Sequence, residues 1–147
     1  MKNIVNRIVA SVNLNTIKVI PVDWATFEAR QDGDNRILVG PKFFKHNPQS
    51  QRWILIHELG HWFRNKYVSL ADIMGFKDGE KFYNLFGTGN SEEGFAEAFV
   101  VYIESQSELK SRYPEQYEAM KGYVGSNTSI FKSWADKTIT ESKNWGA

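Results

Sequence analysis

Residues 57 to 61 read His57-Glu58-Leu59-Gly60-His61, an H-E-x-x-H pattern that takes up two of the three histidines in the chain. On a helix, a spacing of four places both imidazoles on one face, one turn apart, where they can grip a single zinc ion. Glu58 then stands beside the metal, placed to take a proton from a zinc-bound water. That chemistry is the hydrolysis of peptide bonds, with His57 and His61 as metal ligands and Glu58 as the catalytic base.

The faces of this helix agree with such a role. With His57 at zero and about 100° per residue, His61 falls at roughly 40°, while Leu55, Ile56, Leu59, Trp62 and Phe63 fall between roughly 140° and 260°. The histidines oppose the apolar face, so the back of the helix belongs in a core and the imidazoles in a cavity. Two ordinary histidines satisfied by local hydrogen bonds are the bland alternative. Gly60, inside the helix, costs about 1 kcal/mol against alanine. It is either a tolerated glycine or a place where another element comes close. Trp53, Trp62 and Phe63 read as packing rather than as substrate contacts.

A hydrolytic zinc site takes three protein ligands and leaves one position for water. The metzincin extension would require glycine at position 64 and histidine at position 67. Arg64 and Tyr67 stand there and exclude it. His46, the remaining histidine, precedes the helix start and reads as a surface loop residue. An acidic third ligand on a separate element is therefore expected, and the segment from Ser91 to Phe99 offers it. With Glu93 at zero, Glu97 falls at roughly 40°, and Phe95, Phe99 and Tyr102 lie between roughly 180° and 240°. Glu93 is assigned as the ligand. Glu97, one turn on, is assigned to accept the free N–H of a ligand imidazole and fix its tautomer. Glu92 points about 100° away from Glu93. The competing reading is a solvated acidic face that favours the positive end of its helix.

The elements that must carry these residues follow from turn and cap signals. Positions 1 to 14 show apolar residues at helical spacing and read as an amphipathic helix rather than a signal peptide. Thr16–Val22 has strand composition. Asp32-Gly33-Asp34-Asn35 is a turn cluster between Phe27–Gln31 and Arg36–Gly40, which predicts a hairpin. Ile37–Gly40 reads either as an edge strand that pairs with an extended substrate or as an ordinary sheet strand. Asn47-Pro48 predicts a capped helix start, with helix to about Tyr67. Leu70–Gly75 and a helical Asp78–Phe86 follow, then a loop over Gly87–Ser91. Helices are predicted from about Glu92 to Ser107, over Pro114–Tyr123 and over Ser129–Lys137, the last two separated by Gly122 and by Gly125-Ser126-Asn127. Strands early and helices late predict an α+β fold: a small β-sheet, the histidine helix and a helical C-terminal half.

The bulk numbers permit this and exclude other classes. A chain of 147 residues with 41% apolar and 14% aromatic side chains predicts a single globular domain over 1–147. A net charge of +1, from 18 basic and 17 acidic residues, offers no field for nucleic acid or an anionic membrane. No apolar run reaches membrane-spanning length. Cysteine is absent, which rules out disulfides and thiolate zinc sites and favours a reducing, cytoplasmic setting.

The second motif, Glu93-Gly94-Phe95-Ala96-Glu97-Ala98-Phe99, 32 residues after His61, resembles that of the anthrax lethal factor-like metallopeptidases. This gluzincin group includes the Pro-Pro endopeptidases. The resemblance implies a zincin-like fold, one Zn²⁺ held by His57, His61 and Glu93, Glu58 as general base, and a protein or peptide substrate. The group's pattern puts an aromatic where Gly94 stands. It also carries a tyrosine seven residues before the glutamate ligand, whose hydroxyl helps stabilise the oxyanion. Phe86 occupies that place, and Tyr83, three residues earlier, is the possible replacement. The same motifs also resemble phage and plasmid-associated proteases that cleave repressors. Those usually continue with Leu-Met-Pro, whereas Val100-Val101-Tyr102 follows here. A catalytically weak zincin-fold module that binds a partner protein is the third expectation.

Overall fold

The structure is a computed structural model and describes residues 13–69 and 90–145. The predicted helix over 1–14 lies outside the described residues except at its end, where Leu14 opens a 3-10 turn, Leu14–Thr16. The segments Leu70–Gly75 and Asp78–Phe86, with Tyr83 and Phe86, lie outside them altogether.

Three strands form one sheet: β1 (Lys18–Pro21), β2 (Ala29–Asp32) and β3 (Arg36–Val39), in the spatial order β1-β3-β2. β2 and β3 are the predicted hairpin, closed by Gly33 in the left-handed region at φ +68°. An ion pair of 2.8 Å between Arg36 and Asp32 spans the turn. β1 runs parallel to β3, with Val19 opposite Ile37. Ile37–Gly40 is therefore no edge strand. β3 is hydrogen-bonded on both sides, and Ile37 and Val39 are fully buried. Among the described residues, the sheet edge beside the histidine helix belongs to β2.

That helix, α1 (Pro48–Tyr67), starts where Asn47 accepts a hydrogen bond from the Ser50 N–H and Pro48 takes the first turn. Its apolar face, Leu55, Ile56, Leu59, Trp62 and Phe63, is buried. α2 (Ser91–Glu104) begins at Asn90, whose side chain accepts from the Glu93 N–H. It was expected to reach Ser107. It breaks instead at Ser105 (φ −146°, ψ 59°), and α3 (Gln106–Arg112) turns Leu109 into the core. Pro114 opens α4 (Pro114–Val124), because the residue before proline is excluded from helical geometry. α4 runs through Gly122, where a side chain would meet nothing, and stops at Gly125 with φ +71°. α5 (Ser129–Ser142) extends five residues beyond Lys137 because Thr138, Ile139 and Ser142 are also buried.

The result is α+β and mostly helical, with three strands and five α-helices among the described residues. Phe63, Phe99 and Phe131, from α1, α2 and α5, meet with ring centroids 5.3 to 6.2 Å apart. Arg52, in the first turns of α1, links the same three helices, donating to Glu104 at 2.9 Å and lying 3.5 Å from Asp136. No helix among the described residues is long and apolar enough to cross a membrane.

Gly60 lies where α1 and α2 touch. A Cβ there would sit 3.1 Å from Ala96 Cα and 3.1 Å from Phe99 Cβ, both held by the opposing helix. The close-approach reading of this glycine is the observed one. Gly60→Val forces the helices apart and is expected to destabilise the fold by about 2 kcal/mol, the usual scale of core overpacking. Urea unfolding monitored by circular dichroism measures it; an unchanged midpoint would show that the contact is soft.

Candidate metal centre

The two histidines face away from the α1 core toward the start of α2. There the Glu93 carboxylate spans them: Oε2 lies 3.2 Å from His57 Nε2, and Oε1 lies 2.9 Å from His61 Nε2. One ligand atom from each of His57, His61 and Glu93 lies within 4.8 Å of the others, so the cluster could hold a metal ion. The spacing suits one. Bonds of 2.0–2.2 Å in a tetrahedron put neighbouring ligand atoms roughly 3.4 Å apart. Direct contacts near that length show that the three groups already share one small volume.

His57 Nδ1 lies 2.7 Å from Glu97 Oε1. That contact puts a proton on Nδ1 and leaves Nε2, which faces Glu93, as the nitrogen that would give up its proton to bind a metal. Burial opposes a charge on His57, but the hydrogen bond to Glu97 and the fields of Glu58, Glu97 and Glu93 outweigh it, and its pKa is raised. His61 moves the other way. Burial lowers its pKa, His57 adds repulsion, and attraction to Glu93 offsets only part.

Glu58 stands beside the cluster, with Oε2 3.8 Å from His57 Nε2. Its other oxygen accepts a 2.7 Å hydrogen bond from the backbone N–H of Gln31 on β2. Burial pushes the Glu58 pKa from an ordinary 4.5 up to about 7, against the pull of His57 and the Gln31 hydrogen bond. Nothing in the sequence signals the Gln31 contact, because a backbone donor carries no residue preference.

Further polar contacts hold β2 and its turn against α1. Asn65 donates to the Gln31 side chain at 3.0 Å, and Trp62 Nε1 donates to Asn35 at 3.1 Å. Arg64 donates to Asn65 and pairs with Glu92 at 3.1 Å, which links this strap to the residue before Glu93. His46 stays out of the cluster. It is partly exposed and sits 2.8 Å from Glu28. Trp62 and Phe63 are packing residues as expected. Trp53 is not wholly so: it is 37% exposed and lines the metal cleft. Tyr83, the expected oxyanion donor, lies outside the described residues.

The cleft over the cluster has a volume of about 410 Å³, with Glu28, Ala29, Trp53 and Ile54 at one end. A second recess of about 600 Å³ opens farther along β2, between Gln31, Asn35, Trp62 and Asn65. The Gln31–Glu58 contact lies between the two. The chain matches no family model, curated protein or solved structure.

Two outcomes follow. A divalent ion supplied at a hundred times its dissociation constant should stabilise the fold by about 2.7 kcal/mol. Thermal unfolding should show the shift in the native chain and in His46→Ala, and lose it in His57→Ala and Glu93→Ala. An equal shift in all four would place the ion elsewhere. The second outcome concerns the metal-free protein in chelator. Folding keeps a proton on Glu58 between pH 4.5 and about 7, so its share of stability falls as pH rises through that window, and the raised His57 pKa adds a loss of the same sign above the ordinary histidine value. Glu58→Gln removes a penalty of at most about 3 kcal/mol and should flatten that slope in denaturant titrations at pH 5 and pH 8. A slope that Glu58→Gln leaves intact would assign it to other groups.

Proposed function

We propose that the protein is a zinc-dependent endopeptidase with a zincin-like arrangement, in which His57, His61 and Glu93 hold the ion and Glu58 is the general base. The observation that carries this reading is the convergence of Glu93 on both imidazoles while Glu58 stays adjacent and unligated. Two nitrogens and one carboxylate oxygen form a donor set typical of hydrolytic zinc, with room for a fourth ligand. Zinc, when bound, supplies Lewis acidity that makes water a nucleophile near neutral pH and polarises the scissile carbonyl.

The chain's own residues do the rest. Glu58 takes a proton from the attacking water, whose oxygen bonds to the carbonyl carbon. The same carboxyl then returns that proton to the amide nitrogen as the C–N bond breaks, leaving a carboxylate and an amine. A raised Glu58 pKa suits a group that must both accept and release a proton near pH 7. Gln31 holds one Glu58 oxygen, so the other faces the cluster. Glu97 fixes the His57 ring.

Substrate binding follows from the strand edge. The Gly40 N–H donates to the Glu28 carbonyl, so Glu28, Arg30 and Asp32 turn their backbone groups toward β3. Ala29 and Gln31 turn theirs outward; the Gln31 N–H is taken by Glu58, which leaves both Ala29 groups and the Gln31 carbonyl for a partner strand. An extended peptide can pair there as a further strand.

Glu58→Gln is the decisive variant. Cleavage of a peptide library should fall by about a thousandfold, within the range for loss of a general base, while one zinc per chain is retained. Metal analysis together with mass-spectrometric profiling reads both. Full cleavage by Glu58→Gln would overturn the mechanism, and stoichiometric zinc with no cleavage by the native chain would favour a binding module.

A further inference from the structure

We propose that Trp53 and Glu28 form a subsite for a lysine or arginine side chain of the substrate, on the C-terminal side of the scissile bond. The proposal rests on the peptidase reading above and adds the substrate's chemistry and direction.

Direction comes from the strand. β2 runs alongside α1 in the same sense: Ala29 shares a recess with Trp53, Gln31 meets Glu58 and then Asn65, and Asn35 meets Trp62. A peptide added antiparallel to β2, the more stable pairing, runs the other way. Its N-terminal part lies by Asn65 and Asn35, and its C-terminal part by Ala29, Glu28 and Trp53. The metal cluster and Glu58 stand between. The Trp53 recess therefore takes a residue that follows the cleaved bond.

Chemistry comes from the lining. Trp53 lies one turn before His57, on the histidine side of α1. At 37% exposed, it is the only large exposed hydrophobic side chain of α1 among the described residues. Ile54 and Ala29, both half-buried, line the same recess and add apolar surface for the methylenes of a long side chain. Glu28 stands at the same recess, with Oε1 against His46 Nε2 at 2.8 Å, which holds its carboxylate in place. Among the described residues, four glutamates line this recess, Glu28, Glu58, Glu93 and Glu97, and no lysine or arginine does. A divalent ion offsets two of those charges and leaves the recess negative. Arg30, whose field reaches Glu58, has its guanidinium over the Phe27 ring, 4.7 Å from the centroid. An indole and a carboxylate lining one recess suit a cation: tryptophan is the strongest cation–π partner, and the carboxylate adds an ion pair.

The test uses the zinc-loaded chain on a peptide library read by mass spectrometry. Lysine and arginine should be enriched in the first positions after the cleaved bond. Glu28→Gln and Trp53→Leu should each lower kcat/KM for an arginine peptide about threefold to fivefold relative to its leucine counterpart. Glu28→Lys should shift the preference to acidic residues, a gain that misfolding cannot produce. A second readout avoids turnover: calorimetric binding of the arginine and leucine peptides to zinc-loaded Glu58→Gln should show the same ranking, lost on adding Glu28→Gln. Native cleavage with a preference that Glu28→Lys leaves unchanged would overturn the subsite and leave the peptidase reading standing. Stoichiometric zinc with neither cleavage nor peptide binding would overturn both.

Discussion

The contact between α1 and α2 at Gly60 is the constraint on which the site depends. With no side chain at that position, the second helix lies against the first at a distance where any Cβ would be crowded by Ala96 and Phe99. Gly60 directly precedes His61, and Ala96 and Phe99 belong to the helix that carries Glu93 and Glu97. The closeness that packs the aromatics behind the site therefore also sets the separation between the imidazoles and the carboxylate in front of it. Spread the helices by the width of a methyl group, and Glu93 no longer spans both histidines.

The sheet serves the same site from the other side. Three strands make a small layer, and its value lies in where β2 ends up. Hydrogen bonds from Gln31, Asn65 and Trp62 clamp the hairpin to α1, and one of them holds a carboxylate oxygen of the proposed base. A buried acid beside two imidazoles and another glutamate would be costly if its hydrogen bonding were left unmet. The backbone donor from β2 supplies part of that need and orients the group. Electrostatics at the centre is thus a compromise. Glu58 and His61 are pushed toward their neutral forms by burial, while His57 is held toward its charged form by three glutamates.

Much of this was legible in the residues. The hairpin turn, the Asn47-Pro48 start and both helix faces follow from local rules that operate over one or two turns. The separation of His57 and His61 from the apolar face, and of Glu93 and Glu97 from Phe95 and Phe99, needed only the helical repeat. The break at Ser105 escaped notice because the pull on Leu109 comes from a core that no local window contains. Composition leaves Ile37–Gly40 open between an edge strand and an ordinary sheet strand. Strand order, however, arises from pairing between distant segments, and β3 took the centre. Trp53 looked like packing because hydrophobicity alone does not say which side of a helix a neighbouring strand leaves open.

The sequence by itself determined which side chains could serve: two imidazoles one turn apart, a glutamate between them, and two further glutamates one turn apart on a second helix. Those facts are local, because the helical repeat sets direction within a few residues. Only the tertiary structure decided that Glu93 closes on both histidines, that Gln31 reaches Glu58 and that an indole stays open to the cleft. Each of those depends on segments far apart in the chain, brought together by burial of a shared apolar core. Burial is non-directional, so its outcome has no signature at any single position.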